Sequence, residues 1–314
     1  MTTSPDVPAL AGPRVYWHTA ASLIVVLLAA VFAGRHWTAV GTAAERLAAA
    51  DRGWLLVAAT ASVSTWACSA LVQQGAVTQP LPAGRLVAAQ FAASAANHVL
   101  PAGLGATAVN WRFLTRCGLT PTHTAGALAL KATASATTRA ALIVVLALAS
   151  PGILRLPPPP SVAPALLVGL AGIATVLLTR PLRTRMGTLL WAALTDFRAV
   201  HELPGRVAAL WGGSLAFASL HALVVYAVTQ ALHLPLPVSQ VALVYLAASS
   251  AAALLPTPGG LGSLDAALGL ALVAAGAPGG TAASVVLGYR LLTVWLPLAP
   301  GLLVLGVLIR RRHL

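Results

Sequence analysis

Long apolar runs alternate along this chain with short charged or proline-bearing stretches. Runs at about 17–33, 53–73, 86–100, 122–149, 162–179, 207–231, 238–255 and 281–309 each approach the roughly 20 residues that a helix needs to cross a bilayer. The pattern predicts an all-α polytopic membrane protein with about eight transmembrane spans. Between the runs lie a short amphipathic stretch at 35–52, a loop with Pro80 and Pro82, and a stiff linker at Pro157–Pro160, since consecutive prolines cannot continue a helix. A basic stretch at 180–206 holds Arg180, Arg183, Arg185, Arg198 and Arg206, and is expected to lie along the membrane surface.

Two segments depart from this pattern in the same way. Residues 91–101 read FAASAANHVLP and run into AGLG; residues 246–256 read LAASSAAALLP and run into TPGGLG. Each break continues as a short apolar stretch to a second glycine, Gly118 or Gly276. The pattern predicts two glycine-broken segments, at 101–119 and 256–278, re-entrant or half-helical. It also predicts two pseudo-repeated halves, about 17–150 and 162–310, that form one integral domain after a polar tail at 1–16. Broken helices of paired repeats usually meet at a transporter's substrate site. Whether the repeats are parallel or inverted is left open. The basic stretch and the Arg310–Arg312 cluster should both be cytoplasmic. Three ordinary crossings between them would put them on opposite sides, so either 260–276 crosses or the last span bends back near Pro297 and Pro300.

Composition sharpens this picture. Charged residues are 8% of the chain and hydrophobic residues 58%, where a soluble domain would carry roughly a quarter charged. The net charge of +13 sits mainly between apolar runs and at the C-terminus, so it suits anionic lipid head groups and not nucleic acid. Arg14 followed by an apolar run could mimic a signal peptide, but an uncleaved first membrane helix is the preferred reading. Cys68 and Cys117 lack metal-ligand spacing and read as packing thiols. The histidines show no zinc spacing, and His221 reads as a packed, hydrogen-bonded residue. Trp17, Trp37, Trp54 and Trp211 fall near span ends, where an aromatic belt is expected.

Candidate chemistry is sparse. Among six acidic residues, Asp265 alone falls in a membrane-depth stretch. Such a charge costs about 2.5–3.5 kcal/mol on insertion scales, so it should be paired or face water. Arg290, in the following span, is its expected partner. Asp265 reads as a substrate contact, a proton site, a structural ion pair or a complement to the helix dipole. In the first half, Lys131 and Arg139 are spaced to share roughly one helix face and to present two cations to a lipid phosphate. Asn97 can bond the broken-helix backbone, while Arg112 and Arg116 share a face expected to meet head groups. Gly103, Gly105, Pro258, Gly259, Gly260 and Gly262 shape the breaks, whose half-helix N-termini would offer free N–H groups to a phosphate or carboxylate. No Walker-A, GxSxG, HExxH or dinucleotide pattern occurs, and no carboxylates cluster near a span. No catalytic residue, metal or cofactor is therefore expected.

The segment LPTPGGLGSLDAALGLALVAAGAPGGTAASVVLGYRLLTVWLPLAPG resembles the C-terminal signature of the lysylphosphatidylglycerol synthase transmembrane region, the flippase-like domain family. NHVLPAGLGATAVNWRFLTRCGL resembles its N-terminal counterpart, and the resemblance runs from about 17 to 310. The family pattern places a glutamate after PGGxG and an arginine in the next span. Here those positions are Pro258, Gly259, Gly260 and Gly262, then Asp265 and Arg290. The acid is shorter, and Ala108 stands at its position in the first copy. Some members carry a soluble aminoacyltransferase domain; the resemblance here implies only the membrane-translocating part.

The expectation is a multi-pass cell-membrane protein that moves or binds an anionic phospholipid or polyprenyl-linked lipid across the inner membrane. Its partners would be membrane lipids. Two alternatives stay open: an accessory to a separate lipid synthase or glycosyltransferase, and an enzyme transferring polyprenyl-linked sugars. Oligomeric state is left open.

Overall fold

The computed structural model describes residues 37–99, 104–149, 195–253 and 262–310. The expected spans 17–33 and 162–179, the linker Pro157–Pro160, Arg180, Arg183, Arg185, Arg311 and Arg312 lie outside them. So do Gly103, Pro258, Gly259 and Gly260. Every described element is helical. In chain order these are α1 (Trp37–Ala48), α2 (Arg52–Gly75), α3 (Ala83–Val99), α4 (Leu104–Arg116) and α5 (Pro121–Ala149), then α6 (Pro204–Ala231), α7 (Val238–Ala253), α8 (Ser263–Ala274) and α9 (Gly279–Arg310). A short helical stretch at 195–201 precedes α6. Four of these helices, α2, α5, α6 and α9, are long and apolar enough to cross a membrane.

The central pair is α2 and α6, and it is antiparallel. Asp51 opens α2 by accepting the N–H of Trp54 at 2.9 Å, which satisfies one of the free donors of the first turn. The Asp51 N–H in turn reaches the carbonyl of Ala231, the last residue of α6, at 3.0 Å. At the opposite end of α2, Gly75 lies so close to α6 that a Cβ would come within 2.4 Å of the Leu210 nitrogen. Arg206 also bonds the carbonyls of Gln74 and Thr78 there, at 3.2 and 3.1 Å. The bundle thus has a near end, marked by Gly75 and Arg206, and a far end, marked by Asp51 and Ala231.

The helices after each glycine break return to the end from which the preceding helix came. α3 starts at the near end, and Gln79, just before it, donates to the carbonyl of Cys117, just after α4, at 3.2 Å. α7 starts at the far end, where Gln240 donates to the carbonyl of Ala275, just after α8, at 3.2 Å. Both return arms stop identically. Gly118 (φ +93°) and Gly276 (φ +98°) adopt the left-handed conformation. Leu119 N–H then bonds Leu114 C=O and Gly118 N–H bonds Thr115 C=O, while Ala277 and Gly276 bond Leu272 and Val273. These are two Schellman caps, for which glycine carries no Cβ penalty. The close approach of α3 and α4 also demands Gly105, whose Cβ would meet the Ala96 carbonyl oxygen at 2.0 Å.

Two of the predicted spans are the first arms of these hairpins. The stretches at 86–100 and 238–255 form helices of 17 and 16 residues, each packed against a shorter returning helix. The return of the second arm resolves the topological conflict. α6 runs from the near to the far end, the α7–α8 hairpin returns to the far end, and α9 runs back. Gly301 of α9 packs against Ala95 and the Phe91 carbonyl of α3, and Leu308 joins the near-end cluster with Leu86. Arg206 and Arg310 consequently share one end.

Apolar burial is divided between two clusters. One, at the near end, joins α2, α3, α4, α5 and the start of α6 through residues such as Ala89, Phe113, Leu114, Leu130 and Leu210. The other, toward the far end, joins α6, α7, α8 and α9 through Val228, Val241, Leu268, Leu272 and Val285. Polar side chains occupy the level between them. Two matching contacts fasten the ends of the long helices: His123 at the start of α5 meets Asp196 at 2.8 Å, and Arg46 of α1 donates to Thr281 at the start of α9 at 3.3 Å.

Candidate functional site

The level between the clusters holds a cavity of about 350 Å³. Helical spacing supplies its polar walls. Ser62, Thr65 and Ser69 recur on one face of α2, and Gln90, Ser94 and Asn97 on one face of α3. α4 adds Asn110, α5 adds Lys131, α6 adds His221, and α9 adds Tyr289, Arg290 and Thr293. The described residues flanking both glycine breaks border the same space: Asn97, His98 and Ala106 from the first hairpin, Leu264 from the second.

Lys131 sits among neutral acceptors. Its ammonium donates to Gln90 Oε1 at 3.0 Å, Gln73 Oε1 at 3.2 Å and Ser69 Oγ at 3.4 Å. Gln90 donates onward to Asn110 Oδ1 at 2.7 Å, and Asn110 to the Ala106 carbonyl at 2.8 Å. This chain ties α2, α3, α4 and α5 together. Asn97 lines the cavity, but its Oδ1 is buried without a hydrogen-bond partner, as is His98 Nδ1.

On the opposite wall, Arg290 is 6% exposed, and its Nε pairs with Asp265 Oδ1, as expected from the isolation of the two charges. Asp265 Oδ2 also accepts the N–H of Gly262 at 2.8 Å. One carboxylate therefore serves both the ion pair and the helix N-terminus, two of the roles its sequence position suggested. It also occupies a backbone donor of α8 that the sequence reading offered to a phosphate. Gly262 has φ +83°, a conformation that favours glycine.

The α9 backbone is adapted here. The turn Leu291–Trp295 directly after Arg290 is π-helical. Pro297 has no N–H to give the Thr293 carbonyl, and its ring crowds that oxygen, so the helix widens one turn earlier. Ser62 of α2 donates to the Leu292 carbonyl at 2.9 Å, which ties α2 to this widened turn. Beside it, Tyr289 hydroxyl lies 3.2 Å from His221 Nδ1 and donates to Tyr245 hydroxyl at 3.3 Å. His221 is thus packed and hydrogen-bonded, as its apolar context suggested.

Arg139 is a correction. It does not line the cavity with Lys131; it donates to Ser249 of α7 at 2.9 Å. Eight residues exceed two helical turns by roughly 80° of rotation. That angle sends Lys131 toward the first hairpin and Arg139 toward the second. Gly105 acts through close packing within its hairpin. The residues that the sequence reading missed are Ser69, Gln73, Gln90 and Tyr289. Their signal was an amide or hydroxyl inside an apolar run, but only the fold gathers them.

A family model described as the lysylphosphatidylglycerol synthase TM region matches residues 18–301. No curated protein matches the chain.

Proposed function

The chain belongs to the lysylphosphatidylglycerol synthase transmembrane-region family, a family of membrane proteins in lipid metabolism or transport, and from that premise we propose that it moves a lipid between leaflets of the cell membrane. The head group would enter the cavity between the hairpins while the acyl or prenyl chains stay in the bilayer. The observation that carries this reading is the polar cavity lined by Lys131 and Arg290, at a level flanked on both sides by apolar clusters. Charges at membrane depth are costly, and they characteristically mark a substrate path.

The two halves fit inverted-topology repeats. α2 and α6 run antiparallel, and the two hairpins enter from opposite ends, with described residues that flank each break lining one cavity. In transporters of this design, one half rocks against the other around a fixed midplane site. The near end gathers Arg85, Arg116, Arg198, Arg206 and Arg310, while the far end holds Arg46 and Arg52 beside Glu45 and Asp51. The positive-inside bias makes the near end cytoplasmic.

The test is reconstitution of the purified protein into vesicles carrying native phospholipids and a polyprenyl phosphate lipid, with leaflet exposure followed over time. Protein-dependent movement of at least one lipid is expected. No movement of any would overturn the reading, and stable co-purification of a lipid synthase would then favour the accessory role.

A further inference from the structure

Resting on the lipid reading above, we propose that the protein couples lipid movement to protons: Lys131 takes up one proton as a negatively charged head group enters the cavity, and gives it up as that head group leaves on the other side. Lys131 is the single lysine among 19 lysines and arginines. An arginine stays charged throughout, whereas a lysine can shed its proton and with it its charge. The two cations that line the cavity divide in this way. Arg290 holds a permanent charge and pairs with Asp265. Lys131 meets no carboxylate among the described residues; its partners are Gln90, Gln73 and Ser69. The other titratable groups on the cavity wall are His98 of α3, His221 of α6 and Tyr289 of α9. Arg139, also on α5, turns away to Ser249.

The surroundings of Lys131 suit both of its protonation states. When charged, the amine has three N–H donors, and three oxygens receive them. Two of those oxygens are fixed in place. Gln90 uses its amide N–H on Asn110 Oδ1 at 2.7 Å, and Ser69 uses its hydroxyl proton on Gln90 Oε1 at 2.9 Å. Neither can turn without losing such a bond. Gln73 differs, because its Nε2 is buried without a partner. A half-turn of that amide exchanges oxygen for nitrogen and gives up only the bond from Lys131. When neutral, the amine has two N–H donors and one lone pair. Gln90 and Ser69 would keep the two donors, and Gln73 Nε2 would donate to the lone pair.

Charge balance sets the order of events. Arg290 and Asp265 cancel, so the empty cavity is neutral when Lys131 is neutral. It is neutral again when protonated Lys131 and a singly charged phosphate occupy it together. A charged Lys131 alone, or a phosphate beside a neutral Lys131, leaves one unbalanced charge at membrane depth, which is unfavourable. The proton therefore enters with the lipid. The amine takes H⁺ from water on the side to which the cavity opens and returns it to water on the other side, with no other covalent bond made or broken. Each cycle carries one proton and one negative charge in the same direction, so no net charge crosses. The lipid runs from the acid leaflet to the alkaline one.

The experiment follows two singly charged phosphodiester lipids, phosphatidylglycerol and a polyprenyl-phosphate sugar, in vesicles carrying the full-length protein, against protein-free vesicles. A pH gradient or a potassium-ionophore membrane potential is imposed, with the other held at zero. One pH unit should shift the steady leaflet ratio of a moving lipid about tenfold toward the alkaline side, and potential alone should not shift it. Lys131→Arg keeps the cation and loses the exchangeable proton, so it should exchange these responses: none to the pH gradient, and about tenfold for about 59 mV of potential. A wild-type protein driven by potential and not by pH would overturn the coupling and leave the lipid reading standing. A folded Lys131→Arg protein still driven by pH would overturn the role of Lys131. If neither lipid moves but water-soluble glycerophosphoglycerol acidifies the vesicle lumen, the coupling survives and the lipid reading fails. No movement and no acidification defeats both. Should Lys131→Arg not fold, the wild-type comparison of the two gradients alone decides.

Discussion

Asp265 and Arg290 show how far single residues can be read from a chain like this one. Each is an isolated charge in apolar surroundings, each is expensive there alone, and the fold pairs them. Removing one partner strands the other, which costs on the order of 3–5 kcal/mol at a buried pair. Asp265→Asn and Arg290→Gln should each lower the melting temperature and abolish lipid movement, and the double change should be no worse than either single. Calorimetry beside the vesicle assay checks this; single variants with unchanged lipid movement would make the pair merely structural. Arg139 was legible as a membrane-depth cation but not in its direction, because roughly 80° of helical rotation separates it from Lys131. The amides Gln73, Gln90 and Asn110 were equally visible in the sequence. Their meeting at Lys131 depends on three helices packing together, which no spacing along the chain encodes.

At the scale of elements, the long helices were legible because their apolar runs exceed what a soluble core helix needs. The hairpins were only half legible. The glycine breaks and the duplicated second glycine marked where each arm ends, but a 16- or 17-residue apolar helix suits a short crossing or an arm equally well. Contact between distant residues, Gln79 with Cys117 and Gln240 with Ala275, shows that each second arm returns to the end where the first began. The caps give a direct prediction. Gly118→Ala and Gly276→Ala place a Cβ on left-handed backbone, at a cost of about 1–2 kcal/mol each. Both should lower the thermal midpoint by similar amounts, and a neutral effect at either would mean that its cap is not formed. Gly105→Ala should do more harm, because its new methyl meets the Ala96 carbonyl. Its expected outcome is a hairpin that opens and a loss of lipid movement, read by protease sensitivity and the vesicle assay.

At the scale of the whole molecule, the opposed hairpins set a topology that labelling can read. Cysteines placed at Gly84 and Arg310 should react from the same, cytoplasmic, side of right-side-out membranes, and one at Gly279 from the other. Reaction of all three from one side would reject the antiparallel arrangement. The sequence showed two matching segments but could not orient them, since hydrophobic patterning is blind to which way an arm runs. The central claim is that the cavity between the hairpins is the path of a lipid head group. Its most direct measurement is lipid movement in vesicles by a protein whose cavity is filled. Ser94→Trp puts an indole into the space, while Leu71→Trp, on a face 51% exposed, serves as a control outside it. The account predicts that Ser94→Trp folds and inserts but moves no lipid, and that Leu71→Trp moves lipid as the wild type does. Undiminished movement by a folded Ser94→Trp protein would contradict it.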